Sequence, residues 1–212
     1  MSFCKSVFAC VLLLGGVSCL SQEADAGPDP PLISLSQPYS PITGPQRLRW
    51  LVRSTVGPES LAGGLFSAGV GTARDKPVEY GPHWDGFASR YGMRLTGVAA
   101  GNAIEAGLGS FWGEDPRYFR TSGQPFKARL GNVMLMTFAA RRRDGRVGPA
   151  YARFVATPAN NFLSNTWRPD SEATISGAVT RTMWGFLGRM SGNAFKEFWP
   201  SVSKRLFHRE QK

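Results

Sequence analysis

An all-α bundle is the fold this sequence predicts, and three observations carry the expectation. Apolar residues recur at helical spacing through segment after segment, and Pro and Gly fall between those segments. Period-two alternation is nowhere sustained, and Ala, Leu, Met, Gly and Arg stand where strands would need β-branched residues. At 212 residues the chain is long enough for a substantial core, and its length favours one domain. The expected domain spans residues 44–212 and holds about six helices that touch through Gly- and Ala-rich faces.

Taken in order, Gly44-Pro45 opens a first helix, in which Leu48, Leu51 and Val52 hold helical spacing. Gly57-Pro58 stops it and starts a second, where Gly63, Ser67 and Gly71 recur every fourth residue, as do Gly64, Ala68 and Thr72. A loop at 76–82 leads to a long central helix opened by Pro82 and carried to about Gly113. Within it Thr96, Ala99, Ala103, Gly107 and Ser110 share one narrow face, with Arg94 and Glu105 nearly opposite. Residues that small let a neighbouring helix approach closely, and Gly97-x-x-x-Gly101 adds a second such stripe.

After a turn-rich connection, Pro125 starts a helix with Phe126, Leu130, Val133, Met134, Thr137 and Phe138 at helical spacing. It is expected to end in Arg141-Arg142-Arg143, where positive charge suits the helix dipole, with Asp144-Gly145 as the turn. Pro149–Trp167 is expected as a helix kinked at Pro158. The last helix starts near Asp170 or Ser171, buries a stripe of Ile175, Val179, Met183, Phe186, Leu187, Met190, Ala194 and Phe198, and breaks at Pro200 before a short basic end.

The beginning of the chain predicts export. Lys5 precedes the apolar run Val7–Val17, and Ala24-Asp25-Ala26 has the small-x-small form of a signal-peptidase site, so residues 1–26 read as a signal peptide cleaved after Ala26. The alternative is a lipoprotein anchored at Cys19. Residues 27–43 carry five prolines and read as an extended Pro-rich linker. Cys4, Cys10 and Cys19 all lie in the leader, so the mature chain can form no disulfide and bind no metal through thiolate. The net charge of +10 rises to +11 on cleavage, because Lys5 leaves together with Glu23 and Asp25. In the periplasm or cell envelope so basic a chain meets anionic lipid or envelope polymer rather than nucleic acid.

Four segments repeat a small residue, then Asn, any residue, and a large apolar one, around Asn102, Asn132, Asn160 and Asn193. Asn is unfavourable inside helices, so these positions predict interhelical hydrogen bonds, a polar cluster of Asn102, Glu105, Asn132, Asn160, Asn161 and Asn193, or exposure to solvent. Glu105 is expected to pair with Arg94 or with an Arg from a neighbouring helix. Arg141, Arg142, Arg143 and Arg146 form a basic run suited to phosphate or lipid headgroups.

Motifs that name a reaction are missing from the sequence. His83 with Glu79 and Asp85 makes a weak metal signal, and neither a cofactor fingerprint nor a catalytic set stands in a suitable context. Arg94, Glu105, Arg181 and Arg189 interrupt every candidate membrane span, each costing ~2.5 to 3.5 kcal/mol at a helix centre. Insertion would therefore require a bundle that protects its charges.

The segments EYGPHWDGF, GNAIEAGLGSFWGEDPRYFR, NNFLSNTWRPDS and NAFKEFWP are similar to a family of exported bacterial proteins of unassigned function that share the W-x-x-D-P-R-Y-F and N-x-W-x-P-D turns. The resemblance covers residues 45–209. It implies export and brings no catalytic residues. The leading expectation is a non-enzymatic envelope protein without a cofactor, peripheral to membrane or wall, acting by self-association, as a homo-oligomer, or by contact with an anionic surface. The alternatives are a small-molecule binder or hydrolase with a polar cavity around Asn102 and Glu105, and an integral membrane helical bundle.

Overall fold

The computed structural model describes residues 39–207. The expected signal peptide, its cleavage site, Cys19 and the linker up to residue 38 lie outside the described residues. The chain is predominantly helical, with helices α1 (Gly44–Val56), α2 (Pro58–Ala73), α3 (Trp84–Trp112), α4 (Phe126–Phe138), α5 (Tyr151–Leu163) and α6 (Ile175–Phe207).

Local chemistry sets the helix ends. Gln46 Oε1 accepts the Thr43 backbone N–H at 3.0 Å, and Pro45 occupies the first turn of α1. Gly57 separates α1 from α2, and a Cβ there would sit 2.2 Å from the Arg53 carbonyl oxygen. Gly113, at φ 74°, ends α3 in the left-handed conformation that glycine adopts without steric cost.

The six helices form two units of the same design, each with two short helices laid antiparallel along one long one. Along α3, Arg47 donates to the Glu114 carbonyl at 2.8 Å, Asn102 donates to Thr55 at 3.2 Å, and Arg94 donates to the Ser60 carbonyl at 3.1 Å. This order places α1 beside the C-terminal half of α3 and α2 beside its N-terminal half. Along α6, Arg129 meets Glu197, Asn193 donates to Thr137, and the Phe138 and Phe154 rings both lie 5.8 Å from Phe186. There α4 covers the C-terminal half and α5 the N-terminal half. The units join where α5 packs antiparallel on α3, with Asn160 over Gly101 and Arg153 against Glu105.

Several expectations are corrected. A small antiparallel sheet interrupts the all-α fold: β1 (Glu114–Asp115), β2 (Ala139–Arg142) and β3 (Val147–Pro149), paired in that order with Asp115 opposite Arg141 and Ala140 opposite Gly148. Arg141 and Arg142 are therefore strand residues, and Gly145, at φ 80°, makes the hairpin turn. Pro149 belongs to β3, and α5 starts at Tyr151. Pro200 does not break α6, which continues through it to Phe207.

The largest correction concerns which face of each helix is buried. Ile175 (74 % exposed), Val179, Met183 and Leu187, expected inside, point outward, and α6 instead buries Ala178, Asn193 and Glu197. On α4 the large apolar side chains Phe126, Leu130, Met134, Leu135 and Phe138 are exposed, while Asn132 and Thr137 are buried together with Val133 and Met136. Apart from alanine and proline, the buried apolar side chains among the described residues are Phe119, Val133 and Met136, and they share the interior with Arg90, Glu105, Glu114, Asp115, Arg153 and Glu197. Each of the six helices carries at least two large exposed apolar residues, with Trp84 and Phe111 more than four-fifths exposed. Small residues are likewise turned outward: Gly107 of the expected close-approach face, with Gly188 and Gly192 of α6, has open space where a Cβ would stand.

Candidate functional site

Three polar clusters sit in or on this bundle. The first centres on Glu105, near the middle of α3 and 4 % exposed. Arg153 of α5 donates its Nε to Glu105 Oε1 at 3.1 Å, and Arg189 of α6 closes on Glu105 Oε2. Arg153 Nη1 donates to the Met136 and Thr137 carbonyls at 2.8 and 2.9 Å, which ties the end of α4 to the same point. Of the two partners expected for Glu105, the neighbouring helices supply the arginines, and Arg94 turns to the Ser60 carbonyl. Both carboxylate oxygens are thus held by guanidinium groups, and the gap beside Glu105, Gly109 and Arg153 is too narrow for water.

Glu114 and Asp115 extend the first cluster to the sheet. Glu114 accepts the Tyr151 and Ala152 backbone N–H groups at 3.0 Å each, placing a carboxylate at the positive end of α5. Asp115 receives Arg117 through Nε at 2.9 Å and Nη2 at 2.6 Å, and Tyr39 at 3.4 Å. Burial, then the Asp115 charge, pushes the Tyr39 hydroxyl up to about 12.

Glu197, completely enclosed in α6, anchors the second cluster. It accepts Arg129 Nε at 2.9 Å, the Tyr118 hydroxyl at 2.7 Å and the Thr121 backbone N–H at 3.2 Å. Burial raises the Tyr118 hydroxyl above the ordinary tyrosine value, and its hydrogen bond to Glu197 adds to this. Asn132 completes the set, donating to Tyr118 Oη at 3.0 Å and to the Phe119 carbonyl at 2.9 Å. The residues that hold Glu197 come from the 118–121 connection and from α4, and nothing in a single helix signals the pairing.

The expected asparagine positions do not gather at one centre. Asn102 bridges α3 to Thr55 of α1, and Asn193 bridges α6 to Thr137 of α4 at 3.2 Å. Asn132 serves the connection to Tyr118, and Asn161 donates within its own helix to the Thr157 carbonyl at 2.9 Å. Asn160 packs over Gly101, its Oδ1 buried without a hydrogen bond. Glu79 accepts the Ser171 hydroxyl at 2.9 Å, a bond that holds its carboxyl below the usual carboxylate range. Among the described residues no three His, Cys, Asp or Glu side chains are placed to hold a metal ion.

The third cluster is on the surface. The β2–β3 hairpin carries Arg142 and Arg143 exposed beside the end of α3, where Phe111, Trp112 and Gly113 form the other wall of a cavity of about 240 Å³. Arg141 takes the opposite side of the strand, its guanidinium 5.4 Å from the Tyr39 ring centre and 4.9 Å from that of Phe119. Arg146, at the turn, faces Asp144 at 3.6 Å. The basic run is therefore split, with Arg142 and Arg143 at the cavity and Arg141 against the aromatic rings.

The fold and these clusters define a helical bundle with a small sheet, paired charges in its alanine-rich interior and large apolar side chains exposed on every helix. No family model, curated protein or solved structure matches this chain.

Proposed function

We propose that this chain is an exported protein of the cell envelope that resides within the membrane as a helical bundle, non-enzymatic in its action, with its apolar exterior turned to lipid. The observation that carries the reading is a partial reversal of burial: Glu105, Arg153 and Glu197 are enclosed and paired, while large apolar side chains stand outside on every helix beside exposed charges such as Arg49, Glu59 and Lys127. In water such a surface has a strong tendency to associate, whereas in hydrocarbon it has no such drive. An isologous dimer contact covers one patch, and the exposed apolar residues here are spread over all six helices.

Helix dimensions fit the same environment. At 29 and 33 residues, α3 and α6 extend ~43 and ~50 Å at 1.5 Å per residue, against ~30 Å of hydrocarbon. No helix of the described residues is long and apolar enough to cross a membrane by itself. Their mean hydropathy is lowered by Arg94, Glu105, Arg181 and Arg189, each of which is hydrogen-bonded to another part of the chain. An intramembrane charge is tolerated in such an arrangement, facing the bundle and satisfied there.

Extraction of membranes from cells expressing the full chain tests this. Embedded protein remains with the bilayer through washes in high salt and in carbonate, and floats with it on a density gradient. Release by either wash as a dispersed monomer contradicts the reading. Self-association is the second reading, favoured by the open Gly188 and Gly192 on α6, since small residues four apart let two helices approach closely in lipid. It predicts a dimer or larger species in detergent that Gly188→Leu dissociates.

A further inference from the structure

We infer that the cavity between the end of α3 and the β2–β3 hairpin is a binding site for the headgroup of an anionic phospholipid, and this rests on the reading of the exterior as membrane-facing. Its two walls differ in chemistry. One is apolar and unusually open: Phe111 is 83 % and Trp112 40 % exposed, their rings 6.4 Å apart. The other is cationic: Arg142 and Arg143 are exposed, and among the described residues neither is ion-paired to a carboxylate. An apolar wall facing two arginines matches an amphiphile whose acyl chains lie on the rings and whose phosphate sits on the arginines.

The arginines are held ready by backbone geometry. Arg143 donates to the Ser110 carbonyl at 3.0 Å and lies across Gly113, where a Cβ would come within 3.1 Å of its Nε. Arg142 lies across Gly148 in the same way and places its guanidinium 5.7 Å from the Tyr151 ring centre. The one acidic side chain at the cavity, Asp144, faces Arg146. The arginines, the aromatic wall and the room between them coincide, and Trp with Arg at one level is the pattern of a membrane interface.

Native mass spectrometry of the full chain in a mild non-ionic detergent tests the assignment, because it reads lipid selection whether or not the bundle also resides in a bilayer. Adducts of phosphatidylglycerol and phosphatidylcholine are compared for the wild type, for R142Q/R143Q, and for Lys127→Gln, an exposed basic position that does not line the cavity. Phosphatidylglycerol is expected to bind about tenfold better than phosphatidylcholine in the wild type and in Lys127→Gln, and the two to bind equally in R142Q/R143Q. Equal binding by the wild type, or a preference that survives the double substitution, overturns the assignment.

Inorganic phosphate in excess separates the two sources of the anion. Phosphatidylglycerol that stays bound supports the lipid, and complete displacement assigns the cavity to free phosphate and overturns the lipid headgroup. Phe111→Ser is the second variant, needed if R142Q/R143Q fails to fold: phosphatidylglycerol binding weakens when the acyl wall is removed with every charge kept, and unchanged binding counts against the site. A chain that carbonate releases but that still selects phosphatidylglycerol contradicts the embedded exterior alone. One that stays embedded without selecting contradicts the headgroup site alone.

Discussion

Arg189 of α6 and Glu105 of α3, 84 residues apart in sequence, close on each other inside the bundle, and Arg153 of α5 completes the group at 3.1 Å from the same carboxylate. Three helices are thereby locked by one acidic side chain. In water a buried ion pair is weak evidence of stability, because desolvation offsets most of the attraction. Its removal is a different matter, since one partner is then left buried and uncompensated.

Glu105→Ala therefore strands two guanidinium groups and is expected to cost about 3–5 kcal/mol, read as a fall in the denaturant midpoint in detergent. Asp at the same position is too short to reach both arginines and should lose most of that amount. An unfolding curve that overlays the wild type would remove the cluster from any structural role.

The reversed surface gives a substitution whose sign depends on the surroundings. Met183, exposed on α6 at 63 %, faces lipid in the proposed arrangement, so Met183→Arg should lower insertion by ~2.5–3.5 kcal/mol. At a water-facing position the same change stays within about 0.5 kcal/mol. Partition between membrane and soluble fractions decides, and an equal distribution of the two forms would argue for water.

Glycine positions should divide sharply. At Gly86 a Cβ would stand 2.1 Å from the Gly81 carbonyl oxygen and 2.4 Å from that of Tyr80. Gly86→Ala is therefore expected to force apart the loop that Arg90 holds through the Lys76, Gly81 and Pro77 carbonyls. Nothing lies within 4 Å of the Cβ position of Gly92 on the same helix, and Gly92→Ala should gain about 0.5–1 kcal/mol from helix propensity. Thermal midpoints moving in opposite directions are the expected result.

Tyrosine ionisation, followed by absorbance at alkaline pH, reports on the Asp115 cluster. The folded Tyr39 hydroxyl titrates at about 12, above the ~10 of a free tyrosine. Its contribution to stability is therefore complete below the free value and is lost as pH rises through the folded one. Burial is the first cause and the Asp115 charge the second, so Asp115→Asn should shift the transition downward without bringing it to that of a free tyrosine.

Helix positions were legible in the sequence, because Gly57-Pro58, Gly113 and the apolar spacing mark ends and stripes independently of surroundings. Which stripe faces inward was not. The spacing of Ile175, Val179, Met183 and Leu187 marks a coherent face, but a hydrophobic face is buried only where the medium is water. The inward face of α6, with Ala178, Asn193 and Glu197, reads as polar and small, a pattern ordinarily assigned to the surface. The hairpin was legible only at Asp144-Gly145, because β2 is built from Ala and Arg, whose propensity does not announce a strand. The partners of Glu105 lie 48 and 84 positions away, beyond any local pattern.

The most direct measurement is collision accessibility of spin labels in the reconstituted full chain. Labels are placed one at a time at Ile175, Met183 and Leu130, with Asp144 as a hairpin control, after Cys4, Cys10 and Cys19 are replaced by Ser. Lipid residence predicts that the three helix labels are relaxed by oxygen far more than by a water-soluble nickel complex, and that the hairpin label shows the reverse. Helix labels relaxed chiefly by the nickel complex would contradict a membrane-facing exterior.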